Sequence, residues 1–590
     1  MRSYKTNYTL FIVLTLLFLI FYLETLHQDA DTLYVNGKIY TIDQHNTVAE
    51  AFAVRGSVIA DVGTNEELKK RIRPKKIVDL KGKTVLPGFI DSHIHMLSLG
   101  VSKLTLDLSE TASEDEAIAI VSERVRSSSP DQWLRGGGWD QQAWRLRRFP
   151  TAASLDRVSP KNPVFLAHRD GHAIWVNSLA LQNAGITSKT PDPSGGVIVR
   201  DAKGNPTGVL IDAGIDLVGR YLPRMTEQER MEAYQFAAQE CLRNGITTVH
   251  DLGVDLDDIH AYQKLLEKEV LPLRVYAAIA GNGDTWNYFT GKDEFGSVRG
   301  PILGFGNRKL TVRSVNLYLD GSLESRGAAM IEPYTDDPGN RGITLLDEKT
   351  VGQFVAQALK TDFQVILHAV GDRAVNIALN VMEAQLKQRP THDHRFRIEQ
   401  VQVLFPNDGL RFKNLDVIAG IQPFYCITDM YWLEARLGSS RTQMAHAWRT
   451  LLESGVTIAA GSDAPFRSIN PLWSIYAATT RKSFEGIPNA AEDVGQGFQL
   501  SSEGITNTEN YSEGWYPRQK MTGDEAVRSF TFSGARAAFQ DGYLGSIERG
   551  KLADFILLSD DIMTISSKNI LDAKVDKTYL GGEMVYDRHQ

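Results

Sequence analysis

Pro87-Gly88-Phe89-Ile90-Asp91-Ser92-His93-Ile94-His95-Met96 is the stretch on which the reading of the fold turns. The apolar run Thr84 to Leu86 leads into it, and Phe89 and Ile90 continue the pattern before two histidines arrive with one residue between them. A strand over residues 89–95 turns alternate side chains to one face, so His93 and His95 share a face. Two neutral imidazoles at the end of a strand suit a single ion of the Zn²⁺ type. The plainer alternative is two polar residues leaving a strand for solvent.

Working outward, strand-like and helical segments alternate over several hundred residues. Candidate strands are Thr247 to Leu252, Arg274 to Ala280, Ser314 to Leu319, Gln364 to Leu367, Arg395 to Glu399, Asp416 to Gln422 and Thr457 to Gly461. Helical patterns such as Glu227 to Arg243 and Val351 to Lys360 lie between them. With the strand that ends at His93 this makes eight, and alternating β and α units predict parallel strands in a closed TIM-like (β/α)8 barrel over residues 87–544. An open doubly wound sheet is the alternative, but no Gly-x-Gly-x-x-Gly turn follows an early strand. Gly136-Gly137-Gly138-Trp139-Asp140 lacks the features of a phosphate loop and reads as an ordinary loop.

About residues 100–240 separate the first two barrel strands, too many for one connection, and predict an inserted subdomain over the barrel mouth. There Gly195 to Arg200 and Pro206 to Leu210 look like paired strands. His168, Arg169, Asp170, His172 and Trp175 are of the kind that shape a pocket, although packing or solvated roles fit them as well. The chain ends are short and strand-like. Asn36-Gly37 between Leu33-Tyr34-Val35 and Lys38 to Ile42 signals a hairpin, and Arg55-Gly56 signals a second. Ala553 to Leu558, Lys577 to Leu580 and Glu583 to Tyr586 repeat the style at the C-terminus. One small β-sandwich built from 31–86 and 545–590 is the expectation, since separate small units would struggle to bury a core.

Two more residues fall at the carboxyl ends of strands, where barrel chemistry resides. His368 follows Gln-Val-Ile-Leu, and Asp463 follows Val-Thr-Ile-Ala. Alone, the first is an ordinary polar residue and the second a helix cap. In one ring with His93 and His95 they make three imidazoles and a carboxylate, a plausible mononuclear site with a position open for water.

The chain resembles the amidohydrolase superfamily, in its amidohydrolase 3 branch of YtcJ-like and N-substituted formamide deformylase-like proteins. The resemblance runs from about Asp31 to Tyr586. It rests on Leu86 to His95, Leu319-Asp320-Gly321-Ser322-Leu323 continuing to Glu332-Pro333-Tyr334, His368-Ala369-Val370-Gly371-Asp372-Arg373, Gly461 to Pro465, and Gly545 to Asp554. It implies that His93, His95, His368 and Asp463 bind metal, and that Asp463 accepts the proton of the attacking water and passes it to the leaving nitrogen. Two positions depart from the family pattern. Asn316 stands where a bridging Lys is usual, and Gln400 stands where Arg-Ile-Glu-His would have its His. Lys309, His392 and His394 lie nearby but at the wrong end of the barrel. Both losses strike a second metal position, so one divalent ion is expected, with Zn²⁺ favoured and Fe²⁺ or Mn²⁺ as alternatives.

The remaining sequence narrows the function class. The chain of 590 residues is 42% hydrophobic and 23% charged, which marks a folded protein. A formal charge of -8 argues against a nucleic-acid surface. Cys241 and Cys426 give no metal pattern and no disulfide framework. Tyr8 to Leu23 is almost unbroken apolar sequence after Arg2 and Lys5. Residues 1–30 are therefore expected to hold a single-pass transmembrane signal-anchor, with the N-terminus cytoplasmic and the globular part on the extracytoplasmic or lumenal side. A cleaved signal peptide, leaving a secreted protein, is the competing reading. The expected function is hydrolysis of a non-peptide carbon–nitrogen bond in a small molecule. The alternatives are a catalytically impaired barrel acting as a binding protein and a heterocycle deaminase. The inserted region and the loops near Tyr425, Trp432 and Arg436 are expected to select the substrate.

Overall fold

The computed structural model describes residues 28–483 and 513–590, apart from positions 110, 142–143, 145–147, 169–172, 194–195, 282, 392 and 431. Eight parallel strands dominate it. They are β1 (Phe89–Ile94), β2 (Ile246–Val254), β3 (Arg274–Ala280), β4 (Leu310–Tyr318), β5 (Gln364–Ala369), β6 (Arg397–Gln400), β7 (Ile418–Ile421) and β8 (Ile458–Ala460). They pair in sequence order from β1 to β8. Their apolar faces are buried on both sides, which is why they read as nearly continuous Val, Ile, Leu and Ala runs.

The ring closes between β8 and β1 through specific groups. Asp463 N–H donates to the His93 carbonyl at 2.8 Å, and Asp91 Oδ1 accepts from Ser462 N–H at 2.9 Å. Gly461 is needed there, because a Cβ would lie 2.4 Å from His93 N. Behind β1, the helix Met96–Leu104 lies backbone to backbone on the helix Glu227–Arg243, where a Cβ on Gly100 would meet the Ala233 carbonyl oxygen at 1.9 Å.

The strands outside the barrel correct two expectations. Asn36-Gly37 does not close a hairpin. Gln28–Val35 pairs with Ala51–Arg55 and Ile72–Asp79, whereas Lys38–Tyr40 pairs with Val48–Ala49 and Thr84–Pro87 in a second sheet. Asn36, at φ 56°, takes the chain from one sheet to the other, a left-handed turn that Asn tolerates. The second sheet also holds Phe555–Leu558, Val575–Leu580 and Glu583–Asp587, so strands from both chain ends share it. Tyr34 stacks on Phe52 at 4.7 Å, Phe555 stacks on Tyr579 at 4.3 Å, and Phe52 meets Phe555 edge-on at 4.9 Å, locking the two sheets face to face.

The glycine run is a strand, Leu134–Trp139, and not a loop. It lies between Leu106–Asp107 and Val164–His168, and a Cβ on Gly136 would sit 2.2 Å from the Leu106 carbonyl oxygen. Close approach of neighbouring backbones, rather than turn formation, explains those glycines. Six strands between residues 106 and 212 form the inserted sheet, with its own core around Trp139, Trp144 and Trp175.

The membrane expectation is also corrected. Among the described residues no helix is long and apolar enough to cross a membrane. The run Tyr8 to Leu23 lies outside the described residues, and at roughly 16 residues it falls short of the about 17–25 a spanning helix uses. The transmembrane helix, the signal-anchor, membrane partnership and single-pass localisation are accordingly not retained. Cys241 and Cys426 are both buried and free.

Candidate metal centre

His93 is buried in β1, and His95 follows directly, at the start of the helix Met96–Leu104. Asp463 lies three residues beyond β8 with φ 62°. Gln400, at the end of β6, and Val401 also have positive φ, 74° and 35°. Gln400 and Asp463, two non-glycine residues in left-handed backbone, both line one cavity, which fits the tendency of strain to gather at functional sites.

Hydrogen bonds settle the tautomers of the two first-strand imidazoles. His93 Nδ1 is 2.8 Å from Glu399 Oε2, and His95 Nδ1 is 3.1 Å from the Leu252 carbonyl oxygen. A carboxylate and a carbonyl only accept, so both Nδ1 atoms carry hydrogen, and in the neutral ring Nε2 is the atom left to ligate. Those Nε2 atoms turn to one point, His95 at 3.2 Å and His93 at 3.6 Å from Asp463 Oδ1. Ligand atoms about 2.05 Å from a tetrahedral ion lie about 3.3 Å apart, so the three donors fit a metal of zinc size. His93, His95 and Asp463 form the cluster of possible metal ligands, with donor atoms within 4.8 Å of one another.

His368, on β5, is not part of that trio. Its ring centre is 6.0 Å from that of His93, and it lines the same cavity. Its Nδ1 is buried without a hydrogen-bond partner. Burial first, then the nearby His93, holds its pKa down to about 3, so the imidazole stays neutral, as a ligand must.

The supporting groups were less visible in the sequence. Glu399 is buried, and Arg397 Nε donates to its Oε1 at 2.9 Å. Burial alone would raise the Glu399 pKa, but Arg397 and His93 outweigh it and hold the carboxyl down to about 2. Gly420 makes the seat, because a Cβ there would lie 2.2 Å from the Glu399 carboxylate. Asp463 Oδ2 accepts from Gln400 Nε2 and from the Tyr425 hydroxyl, each at 2.8 Å. Gln402 Nε2 donates to Gln400 Oε1 at 2.9 Å, which fixes which end of the Gln400 amide faces the carboxylate. Burial opposes ionisation of Asp463, yet His93, His95 and Tyr425 together hold its pKa below the usual carboxylate range. Strand alternation puts Arg397 and Glu399 on one face of an apolar strand, the one signal that could have flagged them. Tyr425 carried no comparable signal for its bond to Asp463.

Asn316 is buried on β4 with neither amide atom hydrogen-bonded. Lys309 sits ahead of β4, with its amine 3.4 Å from the Leu271 carbonyl oxygen, and His394 Nε2 bonds the Leu415 carbonyl oxygen, so neither reaches the cavity. His392, Arg169, Asp170 and His172 lie outside the described residues. Trp175 is buried in the insert core, and His168 packs edge-on to Trp139 at 4.6 Å. Among the described residues, none from 100 to 240 lines the cavity. Its volume is about 480 Å³, and Tyr318, Tyr425, Trp432 and Phe466 contribute rings to its wall. Arg436 is tied to Asp336 instead.

The Amidohydrolase family profile matches residues 76–586. The putative amidohydrolase YtcJ of Bacillus subtilis (strain 168) is 32% identical over 564 residues, 94% of this chain and 99% of its own. The N-substituted formamide deformylase of Arthrobacter pascens is 26% identical over 571 residues, 95% of this chain and 99% of its own. A solved structure, an uncharacterized metal-dependent hydrolase from Pyrococcus furiosus, shares the fold with a TM-score of 0.70 at 24% identity, over 90% of this chain and 100% of that one. With most of its length matched by that profile, the chain belongs to the amidohydrolase family.

Proposed function

We propose that the protein hydrolyses a non-peptide carbon–nitrogen bond, amide-like in character, at a site holding one divalent ion, with Zn²⁺ favoured. The observation that carries this reading is the pair of Nε2 lone pairs converging on one carboxylate oxygen, at 3.2 and 3.6 Å. His93, His95 and Asp463 would hold the ion, and His368 adds a neutral imidazole on the same wall. A divalent ion in such a site supplies Lewis acidity, acidifying water and polarising a carbonyl oxygen. Asp463 takes the proton released by water and returns it to the leaving nitrogen. Its Oδ2, turned away from the two imidazoles, accepts hydrogen bonds from Gln400 and Tyr425, which orient the carboxylate for this exchange. The corner near Gln400 presents hydrogen-bond donors rather than a ligand lone pair, which disfavours a second cation there. The formamide deformylase among the relatives supports the choice of bond.

Metal stoichiometry of the full chain and turnover of a panel of N-acyl and N-formyl amines test the proposal. One ion per chain and turnover abolished by Asp463→Asn are expected. No bound metal after reconstitution and no turnover would instead leave the barrel a binding scaffold.

A further inference from the structure

Two phrases of the sequence flank the metal trio without belonging to it: Leu319-Asp320-Gly321-Ser322-Leu323, after β4, and His368-Ala369-Val370-Gly371-Asp372-Arg373, across the end of β5. The fold lays them side by side. Tyr318 pairs with His368, and Leu319 N–H donates to the His368 carbonyl at 2.9 Å. Asp320 joins them. Its Oδ1 accepts from Val370 N–H at 2.9 Å, and its Oδ2 accepts from Gly371 N–H at 2.8 Å and from Ala329 N–H at 2.9 Å. Asp320 is buried, yet it lines the cavity together with residues 321–324, His368 and Val370.

The joint is closely packed as well as bonded. A Cβ on Gly371 would lie 2.1 Å from the Ala329 carbonyl oxygen, which accepts from Arg373 N–H at 3.1 Å. Asp372 Oδ1 adds a second tie, accepting from Ile331 N–H at 2.8 Å. His368 depends on this joint more than the other imidazoles do. Glu399 orients His93 and the Leu252 carbonyl orients His95, whereas His368 Nδ1 has no hydrogen-bond partner among the described residues. With no acceptor to fix its ring, the place of that imidazole is set by its own backbone and by the Tyr318 ring 4.7 Å away. Asp320 grips that backbone just beyond the histidine, at Val370 and Gly371.

We propose that Asp320 is a positioning residue: by tying Val370 and Gly371 to the loop after β4, it holds the His368 imidazole at the metal corner. The proposal rests on the metal-site reading above. Three converging N–H groups make a pocket that two carboxylate oxygens fill. An amide in their place offers one acceptor and turns an NH₂ group against a donor.

Competition for Zn²⁺ against a chromophoric chelator, on the full chain, tests this without turnover. Burial lifts the Asp320 pKa to about 7 in spite of its donors, so the titration belongs at about pH 8, where the carboxylate is ionised. Asp320→Asn should weaken Zn²⁺ binding about tenfold or more, the usual effect of losing a group that orients a ligand. His368→Leu should weaken it at least as much. Adding Asp320→Asn to His368→Leu should change the dissociation constant by less than about twofold, because the two residues act as one. With Co²⁺ in place of Zn²⁺, either single variant should shift the visible spectrum in the same way, the sign of a lost ligand rather than of lost stability. A lower Tm with an unchanged dissociation constant in Asp320→Asn overturns the proposal. So does an unaltered affinity in His368→Leu, or an equal loss from Asp320→Asn with and without His368. Where Asp320→Asn does not fold, amide exchange of the unaltered chain decides. Exchange at Ala329, Val370 and Gly371 should slow when Zn²⁺ is added, and indifference to the ion overturns the proposal. Failure of the unaltered chain to bind Zn²⁺ sinks the metal reading itself, whereas binding with additive losses sinks the positioning role alone.

Discussion

Replacing Glu399 by Gln should cost metal affinity rather than merely stability, and the structure says why. Arg397 donates to Oε1 of the carboxylate while Oε2 faces His93 Nδ1. An amide at this position must keep its oxygen toward the guanidinium, so its NH₂ turns toward His93. Two donors then face each other, and His93 escapes by moving its hydrogen to Nε2, the atom that has to ligate. The Glu399 pKa of about 2 against an ordinary 4.5 shows how strongly the surroundings demand the anion. At 1.36 kcal/mol per pKa unit that preference is roughly 3 kcal/mol. Partners that orient a ligating imidazole are typically worth about 10–100-fold in metal affinity, and the upper half of that range is expected here. Leaving Arg397 without its anion should also cost roughly 3–5 kcal/mol of stability, so binding must be measured well below the unfolding transition. Competition for Zn²⁺ against a chromophoric chelator at pH 7 gives the dissociation constant. Gly420→Ala, which pushes a methyl against the same carboxylate, should weaken binding in parallel. A lowered Tm with a dissociation constant within twofold of the original would show that Glu399 is structural only, and would refute the tautomer argument.

Further outcomes follow from the same geometry. Since the folded-state pKa of Glu399 lies below its ordinary value, its contribution to stability is complete above about pH 4.5 and drains away as the pH falls toward 2. Tm measured from pH 6 to pH 3 should fall in the unaltered protein, and the Glu399→Gln variant should lose that part of the fall. Tyr425→Phe removes one of the two donors on Asp463 Oδ2, and kcat for the best N-formyl substrate should drop about tenfold or more with KM little changed, in steady-state assays. Gly100→Ala forces two helix backbones apart and should destabilise the protein by about 1–3 kcal/mol, read as a lower denaturant midpoint.

The barrel was legible because its strands are apolar runs broken by helical patterns. Arg274–Ala280 and Glu227–Arg243 fall at the expected residues, while β4 begins four residues ahead of the expected Ser314. Two local signals misled. Asn36-Gly37 is good hairpin chemistry, yet the following strand finds better partners in another sheet. Gly136 to Gly138 resemble a loop, because a glycine required by a neighbouring backbone looks, in sequence, like one required by a turn. At the site, His93, His95 and Asp463 could be found as polar residues at strand ends. Glu399 showed only as a charged residue alternating with Arg397 in an apolar strand, and the bond of Tyr425 to Asp463 not at all, because their partners lie hundreds or tens of residues away. Asn316 and Gln400 were noticeable only as departures from the family pattern, and the second has a visible consequence in its bond to Asp463.

The two halves of the proposed ligand set sit on opposite sides of the junction where the ring is joined by single hydrogen bonds instead of a strand ladder. An ion shared between the histidines of β1 and the aspartate after β8 would act as a clasp there. Loading the ion and shutting the cylinder would then be a single equilibrium. Amide exchange at Ser462 and Asp463 would slow on metal addition while the ladder between β2 and β3 stays indifferent to it.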